Sequence, residues 1–384
     1  MRPRSSIRNI KWSLKIAFVH NYYIHYRVPL FKMLSRIFDV RFFFDDIHKY
    51  MKNVSSDLNY VINPGPKIKG VKFPILLWFH LLKYKPDIIV AGDATYPSTI
   101  IAFIISKLLR KTFVLWEERW FWPSSIIASL LWPIARIIAL KSNALIVPGI
   151  KSKEFYESIG VTKERIFIAP NASYVYTSNE HKIKAEVLLR KFNLNNKVTI
   201  LYIGRVVPYK GVHLILEALL KLRNQRIHNI HLLIVGECDL SYKELLDKYI
   251  TINNLNNVNI IGFVEEEEKG VYYELADIVV YPSYYEVWGM VVNEAMYAGK
   301  PIVSTTTCAA ACDLLREYPD LLISPGDVDK LVKSLKSLIT DARLRESIGT
   351  KLKLLVNEKY SYKQMLKGFI KAIRYALSIR SLSC

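Results

Sequence analysis

The chain has 384 residues, of which 51% are hydrophobic and 23% are charged, and its formal net charge is +20. This length exceeds what a single hydrophobic core usually serves, so two domains are the default expectation. The cysteines, Cys238, Cys308, Cys312 and Cys384, contain no Cys-x-x-Cys pair, which argues against a disulfide framework or a zinc site and is typical of a reducing compartment.

Short apolar runs alternate with helical patterns through the first half of the chain. Because these runs have strand length and are rich in branched and aromatic residues, they predict strands at 14–20, 40–44, 87–92, 112–117 and 144–149. The spacing of apolar residues over 27–38 predicts a helix. Strands that alternate with helices are typical of a mostly parallel sheet covered on both faces.

The alternation pauses at a polar, turn-rich stretch, 168–186, and then restarts. Residues 211–222 have the apolar spacing of an amphipathic helix, and 360–380 predict a helix that extends beyond the second domain. Strands are predicted for 198–204 and for the sequences IHLLIVG, VNIIGFV, DIVVYPS and PIVST.

We therefore predict an α/β protein with two Rossmann-like, doubly wound domains that face a central cleft. The first domain is placed at 1–175 and the second at 196–360, with a linker near 172–196 and a terminal helix, 361–384, that crosses back to the first domain. Ligands of such sheets bind beyond the carboxyl ends of the strands. The sequence contains neither Gly-x-Gly-x-x-Gly nor a Walker loop, which disfavours dehydrogenases and P-loop enzymes.

Positive charge is concentrated in the first half. Residues 1–195 carry 30 Lys and Arg against 13 Asp and Glu, a balance of +17, whereas residues 196–384 carry 24 against 21, a balance of +3. Such an asymmetry indicates an anionic partner, either nucleic acid or an anionic membrane. The sequence shows no helix-turn-helix, zinc or RNA-binding signature, so no nucleic acid is expected as the physiological partner.

Three apolar, aromatic stretches of the first half, 73–85, 100–111 and 120–136, have Trp, Lys or Arg beside them. Each is shorter than the roughly 18 apolar residues of a spanning helix, but such helices can lie in the plane of a bilayer. Packing on the sheet is the alternative for the same stretches. With no recognisable signal peptide, the sequence predicts a cytoplasmic protein, peripheral on the cytosolic face of the membrane.

Two stretches of the second half carry candidate chemistry. Arg205 follows a predicted strand and Lys210 precedes a predicted helix, which places both cations in a loop suited to an anion. In SYYEVWGMVVNEAMYAGKP, Glu286 lies in a loop and Gly289 stands at the start of a helix that presents free N–H groups. Glu294 lies in the second turn of that helix, where a carboxylate also serves as an ordinary helix-terminus residue.

These stretches resemble the second domain of retaining nucleotide-sugar glycosyltransferases of family 4, which have the GT-B fold. The Gly-Arg-x-x-x-x-Lys-Gly motif is matched at 204–211, and Pro-Ser-x-x-Glu-x-x-Gly…Glu-Ala-x-x-x-Gly-x-Pro is matched at 282–301. The resemblance covers about 168 to the C-terminus, and the first half matches only loosely.

The resemblance implies a role for each matching residue and no cofactor or metal ion, because Arg and Lys stabilise the leaving diphosphate. Gly204, Arg205 and Lys210 would hold the diphosphate with the amides of Gly289, Met290 and Val291, Glu286 would face the transferred sugar, Glu294 the ribose and Val264 the base. On the acceptor side Arg27, Asp93 and Glu117 are candidates, Glu117 or Glu118 standing where many relatives have a His.

The predicted activity is therefore retaining transfer of a hexose from a nucleotide-sugar to a glycan acceptor, and the basic, apolar first half predicts that this acceptor is lipid-linked. The alternatives are a basic nucleic-acid-binding α/β protein, a sugar-nucleotide epimerase of the same fold, and a phosphorylase. A phosphorylase requires a pyridoxal lysine and usually a much longer chain. The sequence does not identify the base, the sugar, the acceptor or the oligomeric state.

Overall fold

The computed structural model describes residues 12–49, 51, 54–68, 70–122 and 125–382. The chain divides into two units, one formed by Met1–Pro170 with Tyr362–Cys384 and the other by Asn171–Ser361. Residues 1–11, with which the predicted first domain begins, lie outside the described residues. The structure divides the chain after Pro170 and after Ser361, whereas the sequence analysis placed domain boundaries at 175, 196 and 360.

The first unit is built around a parallel sheet whose strands follow the order β3-β2-β1-β6-β7-β8-β9. Four consecutive residues of the first strand, Ile16 to Val19, are fully buried, as expected for a parallel strand covered on both faces. The strands are β1 (Trp12–Tyr23), β2 (Phe38–Ile47), β3 (Tyr60–Ile62), β4 (Lys67–Ile68), β5 (Val71–Lys72), β6 (Ile88–Gly92), β7 (Thr112–Trp116), β8 (Ala144–Val147) and β9 (Ile166–Ile168), of which β4 and β5 form a separate antiparallel hairpin.

Helices connect these strands in the alternating manner that the sequence predicts. They are α1 (Val28–Ile37), α2 (Leu77–Tyr84), α3 (Pro97–Leu108), α4 (Ile126–Lys141) and α5 (Ile150–Ser158). The third apolar stretch begins at 120, but its helix starts only at Ile126, where the side chain of Ser125 caps the amide of Ala128. Among the described residues, none of the helices combines the length and apolar character needed to cross a bilayer.

The second unit repeats the design with a parallel sheet of order β12-β11-β10-β13-β14-β15. Its strands are β10 (Val198–Ile203), β11 (Ile230–Val235), β12 (Val258–Gly262), β13 (Ile278–Tyr281), β14 (Ile302–Thr305) and β15 (Leu322–Ile323). Its helices are α6 (Asn179–Lys191), α7 (Val212–Asn224), α8 (Leu240–Ile252), α9 (Lys269–Leu275), α10 (Met290–Tyr297), α11 (Ala309–Leu314), α12 (Val328–Thr340) and α13 (Ala342–Lys359). The predicted α/β class with two doubly wound domains is confirmed.

The predicted linker region is more ordered than its composition indicated. Helix α6 occupies most of 172–196 and packs on α9 of the same unit. A capping box starts it, because the Ser178 hydroxyl accepts from the amide of His181 while the His181 ring bonds to the amide of Ser178. A His at the third helical position replaces the usual Glu or Gln, which is why the sequence pattern did not predict this helix.

The last helix, α14 (Tyr362–Leu382), belongs to the first unit, as predicted. It packs against β7, β8, β9 and α1. Its Phe369 ring lies 5.1 Å from the Trp116 ring and 6.1 Å from the Phe18 ring, measured between centroids. Buried aromatic contacts of this kind stabilise by their area and by edge-to-face geometry.

Candidate active site

Two loops of the second unit meet at the carboxyl edge of its sheet. Strands β10 and β13 are parallel neighbours, so the loops that follow them emerge side by side. The amide of Tyr284 donates to the carbonyl of Tyr209 at 2.8 Å and joins the two loops directly. The first loop carries Arg205 and Lys210 and the second carries Glu286, so the structure brings these predicted residues to one edge.

The turn at the end of the first loop requires a glycine. Gly211 has φ +74° as it begins α7, a left-handed conformation that side chains rarely adopt. A Cβ atom there would also collide with the carbonyl of Pro282 in the second loop. The close approach of the two loops therefore depends on Gly211, and it fixes the position of the preceding Lys210.

Lys210, Tyr281 and Glu286 form a closed triangle of polar contacts. Lys210 is 5% exposed, and its Nζ forms an ion pair with Oε2 of Glu286 and donates to the Tyr281 hydroxyl at 2.8 Å. The Tyr281 hydroxyl donates to the same Glu286 oxygen at 2.7 Å. Each of the three side chains gives a neighbour a hydrogen-bond or ion-pair partner. A buried polar group without such a partner would destabilise the fold by about 1–3 kcal/mol, and a charged group by more.

Arg205 has a different environment from Lys210. It is exposed, and its guanidinium donates to the hydroxyl of Tyr209 at 2.5 Å. The Tyr202 hydroxyl donates to the Arg205 main-chain carbonyl at 2.6 Å, which holds the loop but leaves the side chain at the surface. Arg205 can therefore turn toward an incoming anion, whereas Lys210 is held in place before any ligand arrives.

The backbone around Glu286 is fixed by the neighbouring strand. Its amide donates to the carbonyl of Thr307 at 2.9 Å, and the residue forms an isolated parallel bridge with Cys308. Gly289, with φ +98°, begins α10, and a Cβ there would meet the Cys308 sulfur and Cγ of Glu286. The amides of Met290 and Val291 follow in the first turn, where helix geometry leaves N–H groups without intrahelical acceptors.

Glu294 is not an ordinary helix-terminus carboxylate, because it is 3% exposed and has three partners. It accepts from the Ser173 hydroxyl at 3.2 Å and from the Tyr273 hydroxyl at 3.0 Å, and the ammonium of Lys269 lies 3.6 Å away. Burial, and then the charge of Glu294, raise the pKa of Tyr273 well above its ordinary value, so the phenol keeps its proton. Val264 lies apart, half-buried in the loop after β12.

The predicted acceptor-side residues lie at the carboxyl edge of the first unit's sheet. Arg27 is buried, donates to Glu118 at 2.8 Å, contacts His20 and places its guanidinium 4.3 Å above the Trp116 ring. Asp93 and Glu117 follow β6 and β7 and belong to a second polar group, completed by Arg119 and Tyr156. The Arg119 guanidinium donates to Asp93 at 2.5 Å.

Burial dominates the chemistry of Glu117. It raises the pKa of this carboxyl to about 7, and the positive charge of Arg119 only partly opposes that effect. The amide of Ala94 donates to its Oε1 at 2.5 Å. The carboxyl of Glu117 therefore titrates near neutral pH.

Cys308 and Cys312 are four positions apart in the sequence, close enough to raise the question of a metal site. Across the part of the chain that the structure describes, no cluster of three or more His, Cys, Asp or Glu side chains could hold a metal ion. Burial and the neighbouring Glu286 raise the pKa of the Cys308 thiol to about 12. Its sulfur donates to the Trp288 carbonyl at 3.0 Å and acts as packing beside Gly289.

Several residues of the site were not identified from the sequence. Tyr281 and Tyr202 end strands in which buried aromatic residues are ordinary, so nothing in the pattern separates a packing ring from a hydroxyl that binds a charge. Lys269 stands at the start of α9, and it forms ion pairs with Glu266, three positions before it, and with Glu294, 25 positions after it. Arg119 directly follows Glu117 and Glu118 in the sequence. This adjacent positive charge is the feature from which its place in the polar group could have been predicted.

Comparison with known proteins shows similarity to glycosyltransferases. Residues 185–354 match the family model described as glycosyl transferases group 1. An uncharacterized glycosyltransferase of Methanocaldococcus jannaschii is 30% identical over 181 residues, 47% of this chain and 45% of that protein, so the match spans about half of that relative. The capsular polysaccharide biosynthesis glycosyltransferase CapM of Staphylococcus aureus is 26% identical over 310 residues, 75% of this chain and 76% of that protein.

Solved structures confirm the fold. Anabaena HepE in complex with UDP superposes with a TM-score of 0.77 at 17% identity, covering 94% of this chain and 100% of that one. The same protein was also solved with UDP-glucose. At this identity the likeness establishes the GT-B architecture and leaves the chemistry to the residues.

Proposed function

We propose that the protein is a retaining glycosyltransferase, because residues 185–354 match the glycosyl transferases group 1 family model and contain the candidate site. It transfers a hexose from a nucleoside diphosphate sugar to a glycan acceptor. The observation that carries the proposal is the contact of Lys210 and Tyr281 with Glu286 at a sheet edge where α10 also begins. At this edge Lys210 can bind a phosphate, Glu286 can contact a sugar, and the N-terminus of α10 favours an anion.

The donor diphosphate is bound by Lys210, Arg205 and the first amides of α10. The positive charges stabilise the negative charge that develops on the departing nucleoside diphosphate, so the reaction requires no cofactor and no added metal ion. Glu286 faces the anomeric carbon, where positive charge develops in the transition state. Turnover that persists in excess EDTA is the expected result.

The nucleoside is held at Glu294 and near Val264. Glu294 accepts hydrogen bonds from Ser173 and Tyr273, and because a carboxylate has about four lone-pair sites it retains acceptor capacity for a ribose hydroxyl. UDP-glucose is the first donor to test, because HepE was solved with it.

A donor screen tests the proposal. Purified protein is incubated with a panel of UDP-, GDP- and ADP-sugars, with and without a lipid extract, and release of the nucleoside diphosphate is measured. We expect release from one nucleotide class, stimulated by the lipid extract, and a product with the donor's anomeric configuration by NMR. Inversion would contradict the retaining mechanism, and no release from any donor would contradict the enzymatic proposal.

The acceptor is a lipid-linked glycan met by the first unit at the cytosolic face of an anionic membrane. Helices α2, α3 and α4 contain no Asp or Glu, while Lys83, Lys107, Arg136 and Lys141 lie on them. Large apolar side chains of these helices face solvent, including Ile126 at 82%, Leu130 at 72% and Leu108 at 72% exposed. Apolar helices with basic borders fit a bilayer interface, where each Lys or Arg adds about 1 kcal/mol.

Aromatic side chains add to this surface. Trp78 and Phe79 of α2 are about half exposed, and their rings are 6.1 Å apart. Such rings are typical of the headgroup region of a bilayer. An apolar surface of this extent is unusual for a protein that contacts only water.

Liposome flotation tests the membrane proposal. Binding to vesicles of phosphatidylcholine and phosphatidylglycerol should weaken with added salt, and Ile126→Ser with Leu130→Ser should reduce it at least tenfold. Replacing Arg110 and Lys111 by Gln should weaken it further; Lys107 is retained, because its ammonium caps the Lys141 carbonyl at 2.7 Å.

The matched control for flotation lies on the second unit. Leu240 and Leu245 of α8 are similarly exposed, and replacing both by Ser should leave flotation unchanged. No flotation at low salt would refute the membrane surface and leave a soluble glycan as acceptor.

A further inference from the structure

Tyr281 stands between the two opposite charges of the candidate active site. It is the last residue of β13, its side chain is 4% exposed, and it accepts from Lys210 at 2.8 Å while it donates to Glu286 at 2.7 Å. A phenol has one donor and can accept at its oxygen, so both capacities are used. Its hydroxyl is therefore bonded to the cation proposed for the phosphate and the carboxylate proposed for the sugar.

The ring of Tyr281 is held in one orientation. It stacks on the Tyr202 ring at 6.1 Å between centroids and 20° between planes, and the Ser304 hydroxyl donates to the Tyr281 carbonyl at 2.9 Å. Burial, and then the nearby Glu286, raise the pKa of the phenol well above its ordinary value. The hydroxyl therefore keeps its proton at neutral pH and is available as a donor to Glu286.

Donor binding changes what Glu286 contacts. Before binding, the ammonium of Lys210 is paired with Glu286. A diphosphate carries more negative charge than one carboxylate and attracts the ammonium away from it. Glu286 is about one-fifth exposed, and when the ammonium leaves, Oε1 still accepts from the amide of Val287 at 3.2 Å while the Tyr281 hydroxyl still donates to Oε2.

We propose that Tyr281 is a positioning residue, which keeps Glu286 directed at the transferred sugar after the donor diphosphate has attracted Lys210. The proposal rests on the proposed function, because it assigns the diphosphate to Lys210 and the sugar to Glu286. It requires no bond to Tyr281 and no proton transfer from it. The phenol acts through the hydrogen bond to Glu286 and through the fixed stack on Tyr202.

Replacement of Tyr281 by Phe tests this role, because Phe retains the ring and its stack while it removes the hydroxyl. The assay is nucleoside diphosphate release from the donor that the wild-type protein cleaves in the screen. We expect kcat to fall about 10- to 100-fold, the range for loss of one hydrogen bond to a charged group. The Kd of the nucleoside diphosphate should stay within threefold, since Lys210 and Arg205 remain.

A double variant separates positioning from general stability. If Tyr281 acts through Glu286, Tyr281→Phe should lower kcat in the wild-type background but not in the Glu286→Gln background. The matched control is Tyr84→Phe, which removes a tyrosine hydroxyl bonded to the Asp39 carbonyl at 3.0 Å and should leave kcat unchanged. Thermal unfolding of each variant verifies that it is folded.

The outcomes are distinct. A kcat of Tyr281→Phe within twofold of wild type refutes the positioning role, and so does an equal fall in both backgrounds. A fall in nucleotide affinity with unchanged kcat would assign Tyr281 to Lys210 instead and would also overturn the proposal. If the wild-type protein releases nucleotide from no donor, the proposed function fails first, and this role fails with it.

Discussion

Replacing Glu286 by Gln removes one negative charge and almost no volume. The Gln carbonyl can still accept from Tyr281 and from Lys210, which are two of the contacts that Glu286 makes in the structure. What the variant loses is the charge that, on the proposed mechanism, faces the anomeric carbon. The perturbation therefore separates charge from shape at this position.

The magnitude follows from the position of the carboxylate. A unit charge about 4 Å from a developing positive charge contributes about 4 kcal/mol at an effective dielectric constant near 20. Glu286 is one-fifth exposed, which lowers this figure, and removal of one preorganised electrostatic group typically costs about 2.7–4 kcal/mol. We therefore expect kcat to fall about 100- to 1000-fold.

Donor affinity should respond in the opposite direction. Because Lys210 is paired with Glu286 in the unliganded protein, the Gln variant releases its ammonium for the diphosphate. The Kd of the nucleoside diphosphate should be unchanged or up to about fivefold tighter, corresponding to about 1 kcal/mol of ion pairing. The free energy of unfolding should decrease by about 1–3 kcal/mol, since buried Lys210 loses a charged partner.

The assay is single-turnover release of the nucleoside diphosphate, with calorimetry for affinity. Glu217→Gln is the matched control, because Glu217 lies on α7 of the same unit in a surface ion pair with Lys221 at 3.8 Å. Its kcat should equal that of wild type. Near-wild-type turnover of Glu286→Gln would refute the catalytic assignment, and weaker nucleotide binding would refute the competition between carboxylate and diphosphate.

Three further predictions concern the two units separately. Arg205→Ala and Lys210→Ala should each lower turnover by about 2–4 kcal/mol and weaken nucleotide binding in calorimetry, and unchanged affinity in both would place the diphosphate elsewhere. Gly289→Ala should lower the Tm and abolish turnover, because the backbone there is left-handed and the added Cβ would collide with the Cys308 sulfur. An additional Cys308→Ala substitution should restore only part of the Tm and of the turnover, since the strained φ persists. Glu117 has a raised pKa of about 7 against an ordinary value of 4.5, so it contributes stability that is complete below pH 4.5 and lost as pH rises through 7. The decrease in Tm from pH 5 to pH 8 should be smaller in Glu117→Gln, and an equal decrease would refute the assignment.

The positions of the charged residues in the second unit could be predicted because they lie in loops between strongly patterned strands. A parallel strand followed by an amphipathic helix fixes the edge at which the connecting loop emerges. Lys210 before α7 and Glu286 before α10 were placed correctly at that edge. The contact between them depends on the pairing of β10 with β13, which are separated by two other strands in the sequence.

Side-chain partners could not be predicted in the same way. A tyrosine at the end of a buried strand satisfies the hydrophobic pattern whether its hydroxyl binds a charge or a carbonyl, so Tyr281 and Tyr202 gave no signal. Glu294 shows the converse case. The helical position of Glu294 alone is compatible with an exposed carboxylate. The structure shows that Glu294 is buried among Ser173, Tyr273 and Lys269.

The first unit shows why apolar composition does not determine burial. Helix α4 carries apolar residues on all sides, a pattern that ordinarily indicates a helix buried in a core. The structure buries Ala135, Ile138 and Ala139 and leaves Ile126 and Leu130 exposed. Ile138 is buried while Ile126 and Leu130 are exposed, although all three are large and apolar, and the hydrophobic pattern alone does not separate them.

The ion pair of Lys210 with Glu286 also explains how a sugar-facing carboxylate is kept in an empty site. An isolated, partly buried carboxylate is costly, and a nearby cation compensates for the lost hydration. On the proposed mechanism the arriving diphosphate attracts that cation, so Glu286 loses its ion pair with Lys210 only when a donor is bound. Part of the binding energy of the nucleotide is then used to separate Lys210 from Glu286. The negative charge of Glu286 is stabilised again in the transition state by the positive charge that develops at the anomeric carbon.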